Sequence, residues 1–163
     1  MRNKKVQFIV QAAFIAAIYV ILTYFISAFQ LASGAIQIRI SEALTILPYF
    51  TPAAIPGLWI GCFLSNLLTG CLPMDVVFGS LATLLGAVAT YLLRKNKWLA
   101  PIPPVVFNTI IVPYVLAFVY GAEGSIPFFM LTVGAGELVS CYILGNILLN
   151  ALRPYRQILF KQE

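Results

Sequence analysis

The side chains best suited to ligand chemistry in this sequence are two glutamates and two asparagines within strongly apolar segments. Glu42 and Asn66 lie in the first half of the chain, and Asn108 and Glu137 in the second. Carboxylates accept hydrogen bonds, amides both donate and accept them, and ionisable groups inside membranes usually mark a pathway or a ligand site. These residue types therefore predict a binding site for a polar ligand.

The sequence lacks several residue types and motifs that enzymes commonly use for catalysis. The sequence contains no histidine, which removes histidine-based acid–base chemistry and most zinc or iron sites. The cysteines Cys62, Cys71 and Cys141 show no CxxC spacing, and two of the three lie well inside apolar runs, where we interpret them as small hydrophobes. We therefore expect no enzymatic activity, no metal and no other cofactor.

The composition excludes a soluble globule. Of 163 residues, 61% are hydrophobic and only 9% are charged, with a mean hydropathy of +0.96. Soluble domains carry about 25% charged residues, so this chain could not cover a water-facing surface. Its ten basic residues are too few and too dispersed for a nucleic-acid partner. We expect an all-α integral membrane protein with one membrane domain spanning residues 1–163 in the lipid bilayer.

The positions of charged residues predict the topology. Apolar runs long enough to cross a membrane are Val6–Ala32, Val76–Leu93, Trp98–Tyr120 and Ile126–Leu152. Basic residues cluster at the N-terminus, at 94–97 and at 153–161, and the positive-inside rule places all three clusters in the cytoplasm. Both termini are therefore expected to be cytoplasmic.

The first run ends outside the cell, and the run Val76–Leu93 must start outside in order to reach the cytoplasmic cluster at 94–97. Residues 41–71 must therefore cross the membrane an even number of times, either none or two. We expect a pair of short or tilted helices, joined by a turn in the proline-containing stretch Thr51–Pro56. A re-entrant hairpin is the alternative. With two crossings, the chain forms a six-helix transmembrane bundle.

This topology places the polar residues between the outer surface and the middle of the membrane. Ile36–Ile40 alternates apolar and polar residues, which favours an extended loop at the mouth of the bundle. Asp75 and Glu123 fall at the outer rim. The candidate substrate-binding residues are Gln37, Arg39, Glu42, Asn66, Asp75, Asn108 and Glu137.

Most of these residues also have a purely structural interpretation. Ser41 could cap a helix, with Glu42 beside the positive end of its dipole. Arg39 and Glu42 could simply pair with each other, and the two asparagines could join helices. Glu137 is the hardest to explain structurally, because its glycine neighbours leave space for a ligand.

The first helix carries a second feature, a set of small residues suited to close helix contact. Ala12, Ala13, Ala16 and Ala17 form two overlapping pairs with four-residue spacing. The sequence has no GxxxxGK[ST] nucleotide-binding motif, so active transport would need a motor supplied by other chains. We therefore expect these alanines to contact a partner protein. The alternative is contact within the bundle, because Gly57 and Gly61 show the same spacing and such pairs are common in any bundle of small helices.

One stretch of the chain resembles a known family. The run IQIRISEAL, followed by spaced prolines, glycines and polar residues, resembles the QueT family of S components of energy-coupling factor (ECF) transporters. The residues that carry the resemblance are Ile36–Leu44, Pro48, Gly57, Gly61, Cys62, Asn66, Asp75 and Gly79. These residues lie between residue 36 and about residue 90. The length and the six-helix plan of the whole chain also agree with this family.

The resemblance implies a bacterial cell-membrane protein that binds a queuosine precursor in an outward-facing pocket. It also implies docking of the early helices on an ECF transmembrane scaffold protein joined to two ATPase subunits. A 7-deazaguanine ring offers adjacent N–H donors that a carboxylate such as Glu42 or Glu137 accepts in a bidentate pair. The same residues would suit another flat polar vitamin. Further alternatives are a stand-alone transporter or channel, and a membrane enzyme or structural subunit.

Overall fold

The computed structural model describes residues 3–28 and 38–160, and these residues are helical with connecting turns. The expected all-α architecture of six helical segments is confirmed. The segments are α1 (Lys4–Ala28), a 3₁₀ helix (Ile40–Tyr49), α2 (Ala54–Leu68), α3 (Pro73–Leu92), α4 (Ile102–Phe118) and a last run. That last run comprises α5 (Ile126–Glu137), a π-helical segment (Leu138–Leu144) and α6 (Gly145–Leu152), followed by short turns that include α7 (Arg156–Leu159).

Three of the described helices are long and apolar enough to cross a membrane. They cover Lys4–Ser27, Pro73–Leu92 and Ile126–Leu159, while α2 and α4 are shorter apolar helices. The start of α4 lies four residues beyond the predicted span, because residues 93–101 form turns before prolines open the helix.

Residues 41–71 form the expected pair of short helices. The turn between them is at residues 50–53 and not across Thr51–Pro56, because Ala54 already begins α2 and Pro56 lies in its first turn, where a proline is tolerated. The first member is a 3₁₀ helix, whose rise of about 2.0 Å per residue carries ten residues over about 20 Å. Every residue from Ser41 to Pro48 is buried. This short helix is therefore the centre of the bundle, packed against α1, α3, the π-helical segment and α6.

Small residues bring α1 and α2 into close contact. A Cβ atom added at Gly57 would lie 2.7 Å from the Ala12 carbonyl oxygen, and one added at Gly61 would lie 3.1 Å from the Ala16 Cα atom. Ala12 and Ala16 are accordingly buried against α2, while Ala13 and Ala17 are exposed. The predicted partner stripe is therefore divided between an internal contact and the surface.

Polar connectors gather at one end of the bundle. Ser27 near the end of α1, Cys71 between α2 and α3, and Tyr120 after α4 all line one cavity. The opposite end holds the N-terminal part of α1 and the C-terminal turns, where the Gln11 side chain donates to the Leu159 carbonyl at 3.2 Å. The N-terminal part of α1 and the C-terminal turns, two of the three regions that the charge pattern groups together, are thus in contact.

Candidate functional site

Two neighbouring cavities lie toward the polar end of the bundle. The larger, here the outer cavity, has a volume of about 350 Å³ and is lined by polar groups from α1, α2, α3 and the residues after α4. The smaller, here the inner cavity, has a volume of about 30 Å³ and lies next to Glu42, Asn108 and Glu137. Because Arg39 and Asp75 line both, the two cavities are neighbours, and we refer to them together as the cleft.

Glu42 comes to the inner cavity from the central 3₁₀ helix and is only 1% exposed. The Tyr19 hydroxyl of α1 donates a hydrogen bond to Glu42 Oε1. The second oxygen, Oε2, has no hydrogen-bond partner among the described residues. A buried acceptor without a donor is costly, so this oxygen is poised to accept a hydrogen bond from a ligand.

Glu137 faces Glu42 from the end of α5. The Cys141 thiol donates to Glu137 Oε2 at 3.0 Å, and Asn108 of α4 lines the same inner cavity. The Thr45 hydroxyl donates to the Glu42 backbone carbonyl at 2.6 Å and lies 3.5 Å from the Cys141 sulfur. The bond from the Cys141 thiol therefore orients one oxygen of the second carboxyl group.

The two carboxyl groups are close neighbours. Their oxygens and the Cys141 sulfur include atoms that all lie within 4.8 Å of one another, close enough to share one small cationic group. The π-helical segment starts directly after Glu137, and such irregular turns occur frequently at functional sites.

Arg39 is the positive group of the cleft. Its side chain is half-buried and interacts electrostatically with Glu42 and Asp75, and its backbone N–H donates to Ser140 Oγ at 3.1 Å. Glu42 therefore has two partners in the cleft, the Tyr19 hydroxyl through a hydrogen bond and the Arg39 guanidinium through its charge.

The helix-cap interpretation of Ser41 is wrong. Arg39 occupies the N-cap position of the 3₁₀ helix, and no side chain caps it. Ser41 Oγ instead accepts a hydrogen bond of 2.8 Å from the Thr23 hydroxyl of α1. The serine therefore joins two helices at the wall of the outer cavity, which both residues line.

Asp75 and Tyr120 form the rim of the outer cavity. The Tyr120 hydroxyl donates to Asp75 Oδ2 at 2.8 Å and accepts a bond of 3.2 Å from the Leu72 N–H. Asn66 lies nearby and is 2% exposed, and Gly79 leaves room beside its amide. Asp75 thus contacts the cleft from the first turn of α3.

Six of the seven predicted binding residues line the two cavities. They are Arg39, Glu42, Asn66, Asp75, Asn108 and Glu137. Gln37 lies outside the described residues, and the alternating stretch is described only from Ile38 onward.

Three residues that bond to the predicted site residues were not predicted from the sequence: Tyr19, Tyr120 and Cys141. Cys141 follows Glu137 by four residues, a helical spacing that does indicate contact. Tyr19 and Tyr120 are aromatic residues in apolar runs that contain several others, so no comparable signal distinguished them.

Comparisons with known proteins agree with one another. A family model described as "QueT transporter" matches residues 9–154. A protein of Lactococcus lactis subsp. cremoris (strain MG1363) named "Queuosine precursor transporter QueT" is 39% identical over 84 residues, or 52% of this chain and 49% of that relative. The matched part thus spans about half of the relative's length. No solved structure matches the chain significantly.

Proposed function

The chain belongs to the QueT transporter family, and from this premise we propose that it binds a queuosine precursor in the outer and inner cavities and delivers it into the cell. The observation that carries the proposal is the convergence of Glu42, Glu137 and Asn108 on one buried cleft. The cleft offers acceptors and amide groups of the kind that a 7-deazaguanine ring requires.

The size of the cleft supports a ligand of this class. Small-molecule sites commonly have volumes of about 300–1,000 Å³, and the outer cavity has about 350 Å³. Val112, Val115 and Leu116 of α4 supply apolar surface to its wall. A flat bicyclic ring would lie against this surface while its polar edge meets Asn66, Asp75 or the glutamates.

The direct test is calorimetric titration of the purified protein with 7-deazaguanines that differ at the 7-substituent. We expect saturable one-to-one binding, with guanine itself as the ring control. If no 7-deazaguanine binds while another flat polar vitamin does, the substrate assignment fails and the cleft serves a different ligand.

We further propose that the chain acts as an S component, docked on an ECF transmembrane scaffold protein joined to two ATPase subunits. The exposed residues Ala13 and Ala17 of α1 are the small surface groups that a partner helix would contact. Uptake of labelled precursor in cells with and without the ATPase subunits tests the coupling. Undiminished uptake without them would favour a stand-alone transporter.

The orientation that goes with this function has both termini in the cytoplasm and the cleft facing outward. We propose labelling single cysteines at two exposed positions, Glu123 and Lys95, in a background with Cys71→Ser. A membrane-impermeant thiol reagent added to intact cells should modify the cysteine at 123 and spare the one at 95. The reverse pattern would overturn the orientation.

A further inference from the structure

We propose that the ligand is bound as a cation, with an ammonium group in the inner cavity between Glu42 and Glu137 and its flat ring in the outer cavity. This inference rests on the proposed function and adds to it the charge and the orientation of the substrate. It would favour a precursor that carries an aminomethyl group over one whose 7-substituent is neutral.

The sizes of the two cavities set the orientation. The inner cavity has about 30 Å³, against the roughly 10–15 Å³ that a cavity needs in order to hold one water molecule. It has room for an ammonium group but not for a bicyclic ring. Only the outer cavity, with about 350 Å³, has room for the ring, so the small substituent must point inward.

The acidic and basic residues that line the cavities indicate a ligand with a positive charge. The chain has five acidic residues, and three of them, Glu42, Asp75 and Glu137, line the two cavities. Of its ten basic residues, Arg39 alone lines them within the part of the chain that the structure describes. Three carboxyl groups against one guanidinium leave a site that a cationic ligand complements and a neutral ligand does not.

The hydrogen bonds of the two glutamates indicate which chemical group of the ligand lies between them. Tyr19 satisfies one oxygen of Glu42, and Cys141 satisfies one oxygen of Glu137. Glu42 Oε2 is left without a donor among the described residues, although Glu42 is only 1% exposed. An ammonium group has three N–H donors, so it can supply this oxygen and reach the neighbouring carboxyl group at the same time.

A neutral substituent would leave the same site unsatisfied. A nitrile, for example, is only an acceptor and would face two carboxyl groups that also accept. The difference between an ammonium and a nitrile in this position includes a charge-assisted hydrogen bond, whose loss corresponds to about 10- to 100-fold in affinity.

The test compares two ligands that share one ring. 7-Aminomethyl-7-deazaguanine and 7-cyano-7-deazaguanine are titrated into the wild-type protein by calorimetry at neutral pH. We expect the aminomethyl compound to bind at least about 10-fold more tightly. Equal affinities would overturn this inference and leave the proposed function intact, whereas absence of binding by both would overturn the two together.

Glutamine variants of the two glutamates test whether these side chains cause the preference for the aminomethyl compound. Glu42→Gln and Glu137→Gln should lower the affinity for the aminomethyl compound about 10- to 100-fold. The affinity for the cyano compound should stay within about threefold of the wild-type value. Glu123→Gln, at an exposed position away from both cavities, is the matched control and should change neither. An equal loss for both ligands would mean that the glutamates contact the ring, which would overturn the proposed orientation.

A metal ion is the competing occupant, because Glu42, Glu137 and Cys141 could together ligate one. Zn²⁺ alone, added at micromolar concentration to the wild-type protein, should not raise its melting temperature. A Zn²⁺-dependent rise that Cys141→Ser abolishes, with displacement of the aminomethyl compound, would make the inner cavity a metal site and overturn the inference.

Discussion

Tyr19 of α1 donates its hydroxyl hydrogen bond to Glu42 of the central 3₁₀ helix, and each of these side chains is 1% exposed. The bond connects the first helix to the floor of the cleft. It also fixes which oxygen of Glu42 remains for a ligand, because Oε1 is taken and Oε2 is not.

Removing this bond should lower stability. Tyr19→Phe keeps the ring but leaves a buried carboxyl group without its donor, which should reduce the free energy of unfolding by about 1–3 kcal/mol. Thermal unfolding in detergent measures the change. Tyr24→Phe, where the side chain is 61% exposed, is the control and should stay within about 0.5 kcal/mol. An unchanged melting temperature for Tyr19→Phe would mean that the bond contributes nothing.

The contact between α1 and α2 should not tolerate a methyl group. In Gly57→Ala the new Cβ would lie 2.7 Å from a backbone oxygen of Ala12, so the helices must separate, at a cost of about 1–3 kcal/mol. Gly145→Ala is the control, since its Cβ would meet its neighbours at 3.7 Å or more. Equal melting temperatures for the two variants would contradict the packing described here.

The cleft should be sensitive to one methyl group at Gly79. A Cβ there would lie 3.1 Å from Asn66 Nδ2 and 3.4 Å from Asp75 Oδ1, and it would project toward two residues of the site. We expect Gly79→Ala to weaken 7-deazaguanine binding about 10-fold, or roughly 1.4 kcal/mol, with a smaller effect on stability. Calorimetry beside thermal unfolding separates the two effects, and wild-type affinity would show that Asn66 and Asp75 do not contact the ligand.

The rim of the outer cavity offers a conservative test. Tyr120→Phe removes the donor to Asp75 and the acceptor for the Leu72 N–H, so the start of α3 loses its tie to the end of α4. Ligand affinity should fall about 3- to 10-fold, equivalent to a net hydrogen bond of roughly 1 kcal/mol. Tyr114→Phe, within α4 and outside the outer cavity, should bind like the wild type.

Ala12 and Ala13 are neighbours on α1, but substitution should affect protein stability at one position and partner binding at the other. Ala13→Trp should abolish co-purification with the scaffold protein while leaving ligand binding and melting temperature unchanged, because Ala13 is exposed. Ala12→Trp should instead destabilise the protein itself by about 1–3 kcal/mol, because Ala12 is buried against α2. Full recovery of the complex with Ala13→Trp would place the partner on another face.

Hydropathy and charge along the chain were enough to predict the class of protein, the helical segments and the short pair in residues 41–71. These properties act locally, because a run of apolar residues needs a lipid or protein environment whatever its neighbours are. They were also enough to select Glu42 and Glu137, since a carboxyl group in an apolar run has few structural uses.

The partners of those carboxyl groups were decided only by the tertiary structure. Tyr19 is one of eight tyrosines, and nothing in its own segment indicates that the 3₁₀ helix brings Glu42 to it. The burial of Ala12 rather than Ala13 likewise depends on which face of α1 meets Gly57. The sequence specifies what each helix carries, but the rotation of one helix against another follows from packing between residues far apart in the chain.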